Sequence, residues 1–323
     1  MTVSKEAIIW GYRLFLGREP ESEQVMRAHA NTADEAELAD NLLRSEEFAA
    51  KRRISASANL TIPLHAAPIE VEVTATPEQL AACLAKIREA WTHLGMLRPH
   101  FSVLTNDKYL PENLHQSIDD FWSSGEAEAS QVIKILERHG FGRYLDKQCV
   151  EYGCGVGRVT MALARKFKRV DAYDISPGHL QRAQLRAQET GIRNVVLHQC
   201  SSNMLGKLQE CDFFYSRIVF QHNPPPVIIE LARQALASLR PGGVAVFQVP
   251  TYIVGYRFRL QEWLNTNHDL DMQMHCVPQN KLFELITEQR CVVLEVREDG
   301  SAGALDRMLS NSFVVRKLGG VEL

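Results

Sequence analysis

The sequence predicts an α/β fold, a doubly wound parallel sheet with an N-terminal α-helical unit ahead of it. Three observations carry the prediction. An apolar run through Cys149 and Val150 ends at Glu151, glycines follow at 153, 155 and 157, and Val159, Leu163 and Phe167 then recur at helical spacing, which reads as strand, tight turn and helix. From there on, strand and helix patterns alternate with short joins, as a parallel sheet requires. Before about residue 53 the apolar residues follow a helical period alone.

Bulk properties narrow the class. The 323 residues suffice for one large core and a smaller second unit, and 45% hydrophobic with 23% charged residues is ordinary for a globular protein. A formal net charge of −3 argues against broad attraction to nucleic acid or an anionic membrane. No apolar stretch approaches the ~20 residues that span a bilayer, and MTVSKEAIIW lacks the apolar core of a signal peptide, so a cytoplasmic protein is expected. Seven cysteines include no C-x-x-C pair, and several fall in predicted buried strands; neither disulfides nor a metal site is expected. Cys154, inside the glycine turn, reads as a small packed residue rather than a nucleophile.

Residues 7–52 hold two or three amphipathic helices, with Ile8, Ile9, Tyr12 and Phe15 on one stripe and Leu38, Leu42, Leu43 and Phe48 on another; Gly17 and Pro20 end the first. Residues 54–77, with three prolines and no helical period, read as a linker or extended arm. Thr76 then opens a helix with Pro77 as its first residue, expected to end at Gly95. Aromatic-rich loops follow, then a helix over 126–139. Further strands are expected at 168–174, near 194–200, from 211, at 244–251, 291–296 and 311–316, with helices at 227–239 and 277–289. Residues 252–275 break the alternation and read as an insertion covering the substrate, which with the helix after it makes up an inserted region 252–290. The expected domain plan is 1–53 helical, 54–77 linker, 78–145 helical lid and extension, and 146–323 the sheet domain.

The turn must take backbone angles that only glycine adopts freely, and the helix start behind it offers amides to an anion. A dinucleotide fingerprint needs G-x-G-x-x-G; here the spacing is G-x-G-x-G, with an acid two residues before the first glycine. Asp174 stands at the carboxyl end of the next strand, about 20 residues past that glycine, where an acid accepts the two hydroxyls of a ribose. Asp171, mid-strand, is the poorer placed rival, and helix capping is Asp174's other role.

These motifs resemble those of class I S-adenosylmethionine (SAM) methyltransferases. The turn Leu239-Arg-Pro-Gly-Gly before a strand is similar to a frequent mark of the family, and the phrase YSRIVFQHNPPPVI (215–228) with the segments W-x-x-L-G (91–95), SVLT (102–105) and FWSSGE (121–126) is similar to a bacterial subgroup linked to surface polysaccharides. YRLFLGREP (12–20) and LLRSEEFAAK (42–51) resemble a small phycobilisome-linker-like helical domain; the centre of that pattern is degraded here as ESEQVMRAH. The resemblance implies a Rossmann-like class I methyltransferase sheet of seven strands with the last antiparallel, SAM as cofactor, and a glycan or small-molecule acceptor. A sugar hydroxyl of a cell-surface glycan leads, and a protein partner through the helical module is a further expectation.

It also assigns residues. Glycines 153, 155 and 157, with Asp174 and Ile175, would cradle the cofactor, Glu151 its ammonium and Arg158 its carboxylate. The family usually carries an acid for the adenine amino group after the third strand; this chain has Ser201 there, leaving Ser201, Ser202 or Asn203 for that edge, and Ser216 ends the next strand. A hydroxyl acceptor must shed a proton, which suits a neutral histidine. His222, after the fourth strand, is the first candidate base, with a purely structural role as its alternative; His275 in the insertion is the second. Tyr215 and Tyr252 are candidates to line the methyl path.

Overall fold

The structure, a computed structural model, describes residues 3–45, 47–48, 62, 66–200, 208–266, 272–303 and 308–319. The chain divides into two compact units, Met1–Leu64 and His65–Leu323. Ser201, Ser202 and Asn203 lie outside the described residues, as does much of the expected 54–77 linker.

In the first unit, α1 (Lys5–Gly11) continues through a π-helical turn, Tyr12–Leu16, and stops at Gly17 with φ 60°. Helices α2 (Glu23–Ala30) and α3 (Glu35–Leu43) are capped by Ser22 and Asp34, whose side chains accept from the amides of Val25 and Glu37. Ile8, Tyr12, Leu16, Leu38 and Leu42 form the core. Leu43 is a correction to the expected stripe: Leu38 and Leu42 occupy the inward face, and Leu43 is turned to solvent.

The second unit begins with the short strand β1 (Glu70–Val71), which lies in the arm expected to be irregular. Helix α4 (Pro77–Leu97) opens with a capping box in which Thr76 and Gln79 bond each other's backbone amides. It runs two residues past Gly95. That glycine is no stop signal; a Cβ there would lie 2.1 Å from Ser176 Oγ, so it permits close packing. Helix α5 spans Leu114–Arg138, a dozen residues longer than expected at its start, because Phe121, Gly125, Glu128, Val132 and Leu136 share one buried face.

The remaining elements are β2 (Gln148–Tyr152), the short α6 (Thr160–Ala164), β3 (Arg169–Asp174), α7 (Pro177–Glu189), β4 (Val195–Gln199), β5 (Cys211–Ser216), α8 (Pro225–Ala237), β6 (Leu239–Ile253), β7 (Arg257–Phe258), α9 (Leu260–Asn265), α10 (Gln279–Glu288), β8 (Cys291–Asp299) and β9 (Met308–Lys317). The large sheet has the order β4-β3-β2-β5-β6-β9-β8. Pairing is parallel from β4 to β6, and β9 runs antiparallel to both neighbours. This is the Rossmann-like sheet of seven strands with an antiparallel last strand.

Side chains of α4, α8 and α10 pack one face of the sheet, and α5 and the α6 region pack the other. The chain winds outward from β2 to β4 and returns on the other side of β2 to β5. A crevice therefore opens at the carboxyl ends of β2 and β5, where open α/β sheets receive ligands. The insertion after β6 contributes β7, which pairs in parallel with β1.

Candidate active site

That crevice is a pocket open to solvent, lined by both apolar and charged side chains. Glu151, Gly153, Cys154, Gly155 and Arg158 form its floor; Asp174 and Ile175 come from the end of β3, Tyr215 and Arg217 from the end of β5, and Trp91 from α4. Gly155 has φ +54°, and a Cβ there would sit 2.5 Å from Val103 Cγ2. Both the backbone angle and the covering valine demand glycine.

Four amides of the turn donate within the fold. Gly153 and Cys154 donate to Tyr173 O, Gly157 to Cys154 O, and Gly155 to Asp174 Oδ2 at 2.8 Å. These amides brace the turn, three of them against β3, and the helix behind it, α6, is five residues long. Asp174 Oδ1 accepts from Ser176 N at 2.8 Å and lies 3.4 Å from His179 Nδ1, while His179 Nε2 is 2.8 Å from Ser102 Oγ. The cap of α7 is Ser176, so Asp174 is free of that role.

Charge concentrates at the other end of the cavity. Arg158 donates to Glu128 Oε2 at 2.5 Å and to Ser124 Oγ at 3.2 Å, Arg217 Nη1 lies 3.1 Å from the same Glu128 oxygen, and the Tyr215 hydroxyl donates to Glu128 Oε1 at 2.6 Å. Burial pushes the Glu128 carboxyl up, but the guanidiniums of Arg158 and Arg217 outweigh it and hold it below the ordinary carboxylate range. Glu128 was not singled out from sequence. Its signal was an acid on the apolar stripe of α5, in step with Phe121, Gly125 and Val132.

Glu151 has no such partner. It is 4% exposed and its Oε2 has no partner of hydrogen-bond geometry; burial, with the nearby Glu128 and Asp174, pushes its carboxyl up to about 8 against the opposing pull of the Thr160 hydroxyl and Arg158. Arg158 is also buried, and its Nε donates to nothing. A buried unpaired acceptor and a buried unpaired donor in one cavity fit a ligand that carries an ammonium and a carboxylate. The SAM amino-acid end is such a group.

The other expected site residues scatter. Ser216 Oγ donates to Tyr152 O at 2.9 Å, tying β5 to β2, and does not line the cavity. His222 donates from Nδ1 to Gln273 O at 2.9 Å, so its Nε2 carries the lone pair, 3.2 Å from the Gln221 amide nitrogen. Its ring lies 5.4 Å from that of Trp91, which lines the cavity. Burial lowers its pKa to about 4. His275 is buried away from the cavity lining, with Nδ1 at 2.7 Å from the Tyr256 hydroxyl and Nε2 at 3.2 Å from Gln273 Oε1. Both ring nitrogens are engaged, which corrects the expectation of a second base.

Tyr252 bonds the carbonyl of Ala67 and is no cavity residue either. Burial pushes the Cys154 thiol well above its ordinary range, in keeping with a packing role.

Comparison with known proteins agrees with this architecture. Residues 149–243 match a family model described as a methyltransferase domain. Over 114 residues the chain is 28% identical to a ubiquinone biosynthesis O-methyltransferase of Serratia proteamaculans (strain 568), covering 35% of this chain and 46% of that one. The chain thus spans about half the length of the curated relative it matches. Among solved structures, magnesium protoporphyrin IX methyltransferase from Synechocystis PCC 6803, with bound S-adenosylhomocysteine, superposes with a TM-score of 0.51 at 13% identity over 72% of this chain and 99% of that one. At that identity the likeness concerns the fold. The strand–glycine-turn–helix unit and the sheet order thus place the segment that matches the methyltransferase-domain model, residues 149–243, in a Rossmann-like sheet of the methyltransferase fold.

Proposed function

We propose that the cavity binds SAM and that the chain transfers its methyl group to an acceptor hydroxyl. The observation that carries this reading is the pairing of Glu151 Oε2 and Arg158 Nε, two buried, unpartnered atoms of opposite character at one end of a cavity whose other wall is Asp174. Glu151 would hold the ammonium, Arg158 the carboxylate, Asp174 the ribose, and Ile175 the adenine face. The bound cofactor would supply an electrophilic methyl group on a sulfonium.

The protein's part is alignment and exclusion of water. Tyr215 and Trp91 present aromatic surface to the cavity, which attracts a cation. His222 is neutral at ordinary pH and is the candidate proton acceptor; it stands behind Trp91 rather than in the cavity lining, and its Nε2 accepts from the Gln221 amide, a contact that must open before an incoming hydroxyl can use it. Ser201, Ser202 and Asn203 remain proposals for the adenine edge.

The acceptor we favour is a sugar hydroxyl of a cell-surface glycan or its precursor, on the resemblance of residues 12–20 and 42–51 to a module found beside polysaccharide enzymes; the same module would recruit a protein partner. A small-molecule hydroxyl is the second reading, favoured by the O-methyltransferase relative. A scaffold that binds SAM without turnover is the third. Calorimetric titration with S-adenosylhomocysteine, with NAD as the control, tests the cofactor. Micromolar binding of the former alone is expected, and a folded sample that binds neither overturns the reading. Acceptor classes are then separated by mass shift after incubation with SAM and a sugar, a phenol or neither.

A further inference from the structure

We propose that Glu151 holds a proton in the free protein and releases it when an ammonium group binds beside it, so that uptake of the cofactor's amino-acid end expels a proton to solvent. The proposal rests on the cofactor reading above and adds a thermodynamic consequence to it.

The geometry leaves Glu151 without a counter-charge of its own. Its carboxyl is buried on the central strand β2, Oε2 has no partner of hydrogen-bond geometry, and the neutral Thr160 hydroxyl is the polar neighbour that bears on it. The ionisable groups that face it are Glu128 from α5, Arg158 from the turn, Asp174 from β3, Tyr215 from β5, and the thiols of Cys149 on its own strand and Cys154 in the turn. Arg158 is the cation of that set, and its Nη2 is committed to Glu128 at 2.5 Å. Arg217 also reaches Glu128. Glu128 therefore draws both guanidiniums, and Glu151 is left beside two carboxylates. A buried carboxyl so placed takes up a proton rather than ionise. Its raised pKa, about 8, agrees.

An ammonium reverses the balance. It brings a unit positive charge and three donors to an oxygen that has none. The carboxylic acid then gives its proton to the buffer, the carboxylate pairs with the ammonium, and the ammonium keeps its own protons. One bond to hydrogen breaks at Glu151 and one forms on the buffer base.

Titrating the full chain with S-adenosylhomocysteine at pH 7, in buffers of low and high ionisation enthalpy, counts the protons released. Close to one per ligand is expected, with affinity rising roughly tenfold per pH unit between pH 6 and 7 and levelling above about 8. Methylthioadenosine, which has the nucleoside but no amino-acid end, is expected to bind without proton release. Glu151→Gln is expected to bind S-adenosylhomocysteine without proton release. Binding with no release, or equal release with methylthioadenosine, overturns the proposal while the cofactor reading stands. Release persisting in a folded E151Q variant also overturns it, and if that variant does not fold, the two ligands on the natural chain decide alone. Absence of any S-adenosylhomocysteine binding removes the cofactor reading and this proposal together.

Discussion

At the scale of single residues, protonation sets the expected behaviour. Burial lowers the pKa of His222 to about 4, so between that value and 6.5 the unfolded chain binds the proton and the folded chain does not. Stability contributed by neutral His222 is therefore lost as pH falls from about 6.5 towards 4. Glu151 acts with the opposite sign: its raised pKa favours the fold at low pH, and that contribution is lost as pH rises from about 4.5 to 8. Thermal melts of wild type and Glu151→Gln across pH 5 to 8 are expected to diverge, the variant gaining stability relative to wild type by a few degrees as pH rises. If His222 is the base, His222→Ala spares S-adenosylhomocysteine affinity and cuts turnover by the 10²- to 10⁴-fold typical of general bases. The corresponding acid limb of kcat then lies near pH 4 rather than 6.5.

Asp174→Ala has two effects that need separate readouts. It removes the proposed ribose acceptor, and it leaves the buried Gly155 amide without its partner, which costs about 1–3 kcal/mol. Cofactor affinity is expected to fall at least tenfold, together with a lower melting temperature. Affinity unchanged in the folded variant would remove the ribose assignment.

At the scale of elements, the contact between α5 and the glycine turn is the most exposed to test. Gly125 lets α5 approach so closely that a Cβ there would lie 2.1 Å from the carbonyl oxygen of Arg158. Gly125→Ala forces the helix off the turn, at a cost of about 1–3 kcal/mol, and moves Glu128 with it. Both melting temperature and S-adenosylhomocysteine affinity are expected to drop. Thr76→Ala, which removes the capping box of α4, is expected to cost ~1 kcal/mol and leave affinity nearly unchanged.

What the sequence made legible was set locally. The strand, turn and acid of β2 and β3 could be read because glycine spacing and period-two apolar runs report on their own backbone. What it hid was decided at a distance. The first half of α5 reads as loop from sequence because its aromatic residues face other parts of the fold, and Glu128 gains meaning only when Arg158 arrives from the glycine turn and Tyr215 and Arg217 from the end of β5. His275 misled for the same reason. Its position in the insertion suggested an acceptor site, while Tyr256 and Gln273 occupy both of its nitrogens.

At the scale of the whole molecule, the division at Leu64 makes a prediction about function. Every residue lining the cavity lies between Leu84 and Asn223. Removing residues 1–64 is therefore expected to leave S-adenosylhomocysteine affinity within about twofold of the full chain; a larger loss would show that the first unit supports the site. If that unit recruits a glycan-assembly partner, the truncated chain keeps turnover on a free acceptor and loses it in the assembled system. Among the described residues, no helix is long and apolar enough to cross a membrane.

All seven cysteines are buried, and they fall on separate parts of the second unit: Cys83 on α4, Cys149 on β2, Cys154 in the turn, Cys200 after β4, Cys211 on β5, Cys276 before α10 and Cys291 on β8. The molecule thus carries its own set of reporters for transient opening. A thiol reagent can reach each only when its surroundings come apart, so timed alkylation read by mass spectrometry would rank the regions by how often they open. Cys154 sits where the cofactor is proposed to lie, and its labelling is expected to slow on addition of S-adenosylhomocysteine more than that of Cys291 at the far edge of the sheet.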